Sequence, residues 1–134
     1  MHTRKLVGWS MRETLHTQIA LEALAMATAR QRPAPDLIHH SDRGIQYAAE
    51  AYRRGTCHRG HHPIHEPKGR LLGQCPRESF FHTLKTERVH HRFYAPRAEA
   101  RRDLFRYIEG FYNPRRLHSA LGYISPAELE RRAA

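Results

Sequence analysis

His39-His40-Ser41-Asp42-Arg43-Gly44 is the stretch that decides how this chain is read. Leu37 and Ile38 run into it, and helix-like sequence follows. That order predicts a buried strand over 36–42 that delivers one carboxylate, Asp42, to the end of a sheet. A lone aspartate after a strand is more often a turn former or a helix cap, so Asp42 needs a partner to carry chemistry. The candidate is Glu78, within Arg77-Glu78-Ser79-Phe80-Phe81, with 35 residues between it and Asp42. Residues 78–91 read as a helix. Lys85 follows Glu78 by seven positions, two helical turns, so both fall on one face. The competing reading of this helix is a surface element with scattered charge and its Phe pair in the core.

The balance of charges narrows the class of partner. The 134 residues hold 23 Lys and Arg against 13 Asp and Glu, a formal charge of +10, which favours a polyanion whose phosphates those cations neutralise. The length suits one domain. No apolar run is long enough to span a bilayer, and Leu6-Val7-Gly8-Trp9 is too short for the apolar part of a signal segment. Two cysteines, Cys57 and Cys75, make no disulfide framework, so a reducing cytoplasm is the expected location.

Around the central stretch, residues 5–11 read as a strand, with Val7 and Trp9 on one face. Residues 13–31 read as a helix capped by Ser10 and Glu13 and ended by Pro33 and Pro35. Its stripe of Leu15, Ile19, Ala23 and Met26, with Ala20, Leu24 and Ala27 beside it, is core packing. A further helix begins over 48–54. Residues 97–112 form an amphipathic helix with Leu104, Phe105, Ile108, Phe111 and Tyr112 inward. Its Arg101, Arg102 and Arg106 are solvated and could track a phosphate backbone. Asn113-Pro114 stops it. Ser125, Pro126 and Glu128 occupy the N-cap, N1 and N3 positions of a last helix.

The Asp, Glu and Lys spacing, with the words HSDRG, ESFF…LK and YN…R.HSALGYISPAE, resembles the insertion-sequence transposases that carry a retroviral-integrase-like catalytic core. The resemblance covers the chain apart from residues 55–77. It implies an α/β chain with an incomplete RNase H-like (integrase core) fold, lacking the first two strands and ending in C-terminal helices. Residues 1–134 would form a partial integrase catalytic core: strand, helix, strand and helix over 5–54, an aberrant loop over 55–77, and helices over 78–134. Met1 would stand at an internal position of a longer ancestral frame. The implied activity is DNA transposition and integration by strand transfer, with Mg²⁺ (or Mn²⁺) held by Asp42 and Glu78. Lys85, Arg43, Arg115 and Arg116 would contact DNA, and the intact family would assemble as an oligomer on transposon ends. The basic members of the closing word touch DNA or hold the C-terminal helix in place; both readings stay open. The family's first, bridging Asp has no counterpart in this sequence. The chain is therefore expected to be inactive, and marginal or aggregation-prone because its strands lack partners. A sharp cooperative melt would contradict that expectation.

The tract 55–77 has no periodicity, and its Gly and Pro are scattered. The resembled family has a strand here and then a loop similar to GDCWDNAP. Codons exist for residues 61–76 that, read one base later, spell ITPSMSRKGDCWDNAP, so the tract is expected to be translated out of frame. A nucleotide sequence whose shifted frame lacks that text would sink this reading. Two alternatives differ in class. One is a non-catalytic basic DNA-binding protein using the Arg-rich C-terminal helices. The other is a zinc module built from Cys57, His61, His62, His65 and Cys75, whose spacing matches no common ligand pattern.

Overall fold

A computed structural model describes residues 3–13, 16–34, 37–41, 50–57, 62–65 and 76–133. These residues are mostly helical. In chain order they form α1 (Thr17–Gln31), β1 (Ile38–Ser41), α2 (Glu50–Cys57), β2 (His62–His65), α3 (Pro76–Glu87), α4 (Arg97–Tyr107) and α5 (Pro126–Ala133). Short 3-10 turns lie at Val89–His91 and Ser119–Leu121, and a π turn at Ile108–Tyr112 continues α4. The chain divides into two compact units, Val7–Arg70 and Met1–Leu6 with Leu71–Ala134.

In the first unit β1 and β2 pair in parallel, from Ile38 opposite His62 to Ser41 opposite His65. A parallel pair needs a crossover connection, and α2 lies in it, packed against both α1 and β2. Pro63 has no N–H to give, so β2 contributes one fewer donor to the sheet than its length suggests. The core joins Ala20 and Leu24 of α1 to Tyr52 of α2, with Leu21 beside them. Thr56, fully buried, donates to the Tyr52 carbonyl at 3.3 Å, the oxygen one helical turn back.

Small residues on α1 admit a close backbone approach. A Cβ on Gly8 would run into the Ala23 carbonyl and lie 2.8 Å from the Ala27 Cβ, so only glycine fits there. The segment containing Gly8 is not a strand, contrary to the expectation for residues 5–11. No described strand pairs with it, and its Leu6 backbone instead bonds to a side chain described below. The start of α1 also differs from expectation. Its N-cap position is His16, and Ser10 spends its hydroxyl on Glu22 at 2.7 Å, where Arg12 also binds. Arg12, and next Ser10, hold the Glu22 carboxyl down at about 2. Arg32, in a left-handed conformation at φ 42°, closes the helix before Pro33 by donating to the Thr28 carbonyl at 2.9 Å. Within the tract expected to be an aberrant loop, α2 continues to Cys57 and β2 forms at His62–His65.

The second unit is built around aromatic side chains. Phe80 and Leu84 of α3 are buried with Tyr107, Ile108 and Tyr112. The Phe80 and His118 rings both meet Tyr112 edge-on, at 5.0 and 5.1 Å between centroids. The π turn resets the helical phase: Asn113 N–H reaches back five residues to the Ile108 carbonyl at 3.1 Å. Tyr107, Ile108 and Tyr112 therefore face inward, whereas Phe105 and Phe111, expected inside, are exposed. Of the Phe pair in α3 only Phe80 is in the core; Phe81 is half-exposed.

Asn113 ties three segments together. Its side-chain oxygen accepts from Leu6 N–H at 2.9 Å, its amide nitrogen donates to the Leu6 carbonyl at 3.0 Å, and its own carbonyl accepts from Ala127 at 3.0 Å. The last helix starts as the sequence predicts. Ser125 Oγ accepts from Glu128 N–H at 3.2 Å, with the buried Pro126 as the first helical residue.

Candidate active site

β1 ends at Ser41, at the carboxyl end of a parallel strand pair, where open α/β sheets place their ligands. Asp42 and Arg43 themselves lie outside the described residues. Glu78 is the third residue of α3 and is exposed. A carboxylate in the first turn also complements the positive end of a helix, which would suffice to explain it. Lys85 lies two turns on, about 10 Å along the axis, and is exposed on the same face. The structure thus brings together Glu78 and Lys85 as their spacing predicts.

Two residues that sequence reasoning missed join this face. His82, exposed, stands between Glu78 and Lys85 at helical spacing. Arg4 donates from Nη1 to Ser79 Oγ at 3.4 Å, which puts a cation beside the head of α3. His82 was legible from the 4-and-3 spacing; Arg4, 75 residues away, was not.

The two arginines of the closing word part company. Arg115 is exposed. Arg116 is turned onto Glu87, with Nη2–Oε1 at 2.5 Å and Nε–Oε1 at 2.9 Å. Tyr107 donates to the other Glu87 oxygen at 2.7 Å. Arg116, and next Tyr107, hold the Glu87 carboxyl below its usual range; burial, and then Glu87, push the Tyr107 hydroxyl up. Burial, then the Arg116 charge, push His118 down, and its Nε2 is buried with no hydrogen-bond partner among the described residues. A second carboxylate, Asp103, gathers Arg88 through two nitrogens, Arg92 at 3.1 Å and the Tyr94 hydroxyl at 2.6 Å.

Glu78 offers hard oxygens and carries no ion pair to another described side chain, so its donor chemistry fits Mg²⁺ or Mn²⁺. Among the described residues no group of three His, Cys, Asp or Glu converges on one point. The cysteine and histidine side chains of the zinc reading lie outside what is described.

Residues 78–133 match the family model described as integrase core domain. The segment that begins at Glu78 is thus similar to that family. Over nearly its whole length the chain is also similar to insertion-sequence proteins. It is 36% identical over 129 residues to the transposase for insertion sequence element IS904 of Lactococcus lactis, covering 96% of this chain and 51% of that protein. It is 42% identical over 127 residues to the IS600 uncharacterized 31 kDa protein of Shigella sonnei, covering 95% and 47%. It is 36% identical over 128 residues to transposase InsF for insertion sequence IS3A of Escherichia coli, covering 96% and 44%. The chain thus spans about half the length of these curated relatives. No solved structure gives a significant match. The match supports the expected family and, coarsely, the integrase core fold. No described helix is long and apolar enough to cross a membrane.

Proposed function

We propose that this chain contributes Asp42 and Glu78 to a metal-dependent centre for strand transfer in insertion-sequence DNA, and that residues 1–134 by themselves bind DNA without joining it. The observation that carries this reading is the exposed Glu78–Lys85 face at the head of the integrase core segment. A bound pair of Mg²⁺ or Mn²⁺ ions would supply stabilisation of both the attacking and the leaving oxygen of a phosphodiester.

The chain's own residues orient and neutralise. Asp42 and Glu78 would hold the ions as oxygen ligands from two separate elements. Lys85 pairs with a phosphate near the reacting end, and Arg43 and Arg115 bind the flanking backbone. Arg116, committed to Glu87, holds the turn after α4 in place and presents its neighbour Arg115. Oligomers form on transposon ends, as the similarity to transposases suggests. With only Asp42 and Glu78 to hold the ions, residues 1–134 by themselves would lose several kcal/mol of transition-state stabilisation, on the order of a thousandfold or more in turnover.

The test is DNA binding and nicking with purified residues 1–134 and their Glu78→Gln and Asp42→Asn variants. The reading expects salt-sensitive DNA binding by all three and Mn²⁺ binding that both substitutions weaken. It fails if the chain binds no DNA, or if Mn²⁺ binding ignores both carboxylates. The reading as a DNA-binding protein without chemistry is favoured by one specific feature, the arginine face of α4.

A further inference from the structure

Among the described residues of the second unit, the partly buried Lys and Arg side chains are held by carboxylates, with one exception. Lys5 pairs with Glu130, Arg88 with Asp103 and Arg116 with Glu87. Arg4 is partly buried too, and it pairs with no described carboxylate. Its side chain is tied to the neutral Ser79 hydroxyl, through Nη1 at 3.4 Å. Glu78 precedes Ser79 in the chain, yet Arg4 forms no ion pair with it. A cation and a carboxylate therefore meet at the head of α3 without neutralising each other.

Arg4 also holds a backbone conformation that its side chain disfavours, with φ at 56° in the left-handed region. The surrounding residues enforce it. Thr3 Oγ1 accepts from the Lys5 N–H at 3.4 Å, across Arg4, and Lys5 is paired with Glu130. The Leu6 N–H and carbonyl are both bonded to the Asn113 side chain. Glycine would fit this turn without strain, and an uncharged amide would serve Ser79 as well. Strain of this kind gathers where a ligand is gripped. Most donors of the guanidinium are left over, in a fork that matches a phosphate. Ser79, having accepted from Arg4, keeps its own proton to donate to the same group. We infer that Arg4, braced by Ser79, binds a DNA phosphate at the head of α3, beside the Glu78 carboxylate. Ser79 precedes Lys85 by six residues, about 9 Å along the axis, so the phosphate at Arg4 is a different one from that at Lys85. The inference rests on the strand-transfer reading above and adds to that site a positioning residue from outside α3.

The test measures binding of residues 1–134 to a labelled 15-base-pair duplex across a salt series, with far-ultraviolet dichroism and urea titration reporting the fold. Arg4→Gln should lower the slope of log affinity against log salt by about 1, and affinity about fivefold at 0.15 M salt. Arg4→Lys keeps the charge and should keep the slope. Arg4→Gly should lose the slope as Arg4→Gln does, while its helicity is unchanged and its urea midpoint is unchanged or higher, because glycine takes a positive φ freely. An unchanged slope in Arg4→Gln, or an equal loss in Arg4→Lys, overturns the phosphate contact. A lower urea midpoint in Arg4→Gly also overturns it, since the guanidinium would then be serving the fold. Absence of DNA binding by the unsubstituted chain would instead remove the proposed function beneath it.

Discussion

Removing the Asp103 carboxylate should loosen the junction between α3 and α4 more than any other single change in the second unit. The carboxylate is nearly buried, with 8% of its side chain exposed, and it binds Arg88, Arg92 and Tyr94 at once. Arg92 is half-exposed, so its share is under about 1 kcal/mol. Arg88, 29% exposed, would be left as a largely buried cation with no counter-charge. Breaking a buried pair costs about 3–5 kcal/mol, and the residual solvent contact of Arg88 puts Asp103→Ala near the lower end, about 3 kcal/mol. The assay is hydrogen exchange at the Arg88 amide, which donates to the Leu84 carbonyl at 3.0 Å and closes the end of α3. Exchange there should accelerate about 100-fold. Replacing both partners, Asp103→Leu with Arg88→Met, should recover most of the protection, because no orphaned charge remains. Acceleration of less than threefold in Asp103→Ala would refute the reasoning. The sign with pH follows from the same contacts. Arg88 first, then Tyr94, hold the folded Asp103 carboxyl below its ordinary value against the opposing effect of burial. Its contribution is therefore complete above about pH 4 and is lost as the pH falls through the lower folded value.

Two further outcomes concern other parts of the fold. Gly8→Ala should lower the resistance of α1 to proteolysis at least tenfold, since the new Cβ meets backbone atoms of Ala23 and Ala27 that cannot swing away; unchanged resistance would contradict that contact. His118 is depressed in the folded chain mainly by its burial, so the unfolded chain binds the proton more readily. Stability should be full above about pH 6.5 and decline as the pH falls below it, and His118→Gln should flatten that decline in urea titrations between pH 5 and 7.

What the sequence made legible was local. The cap at Ser125, Pro126 and Glu128, the Glu78–Lys85 spacing and the strand running up to Ser41 all rest on patterns within one element. Most of the misses share a cause, in that each depended on a partner elsewhere along the chain. Residues 5–11 alternate like a strand but have no described strand to pair with, and the Asn113 side chain takes the Leu6 backbone instead. Ser10 and Glu13 spell a capping box, but Ser10 is drawn to Glu22. A single periodicity over 97–112 put Phe105 and Phe111 inside; the π turn over 108–112, invisible to a 3.6-residue pattern, shifts the phase, so that Tyr107, Ile108 and Tyr112 are buried while Phe105 and Phe111 are exposed. Arg116 looked like its neighbour Arg115, yet Glu87, 29 residues earlier, claims it. The tract 55–77 lacked any strand signal of its own; β2 forms there as the parallel partner of β1. The out-of-frame origin expected for that tract is tested by the nucleotide sequence.

Two carboxylates from separate elements sharing one metal cluster is the claim on which the functional account stands. A crystal structure of this chain with DNA and Mn²⁺ tests it most directly. The account predicts carboxylate oxygens of Asp42 and Glu78 about 2.0–2.2 Å from ions spaced about 4 Å apart. Mn²⁺ bound elsewhere, with those two carboxylates more than about 10 Å apart, would contradict it.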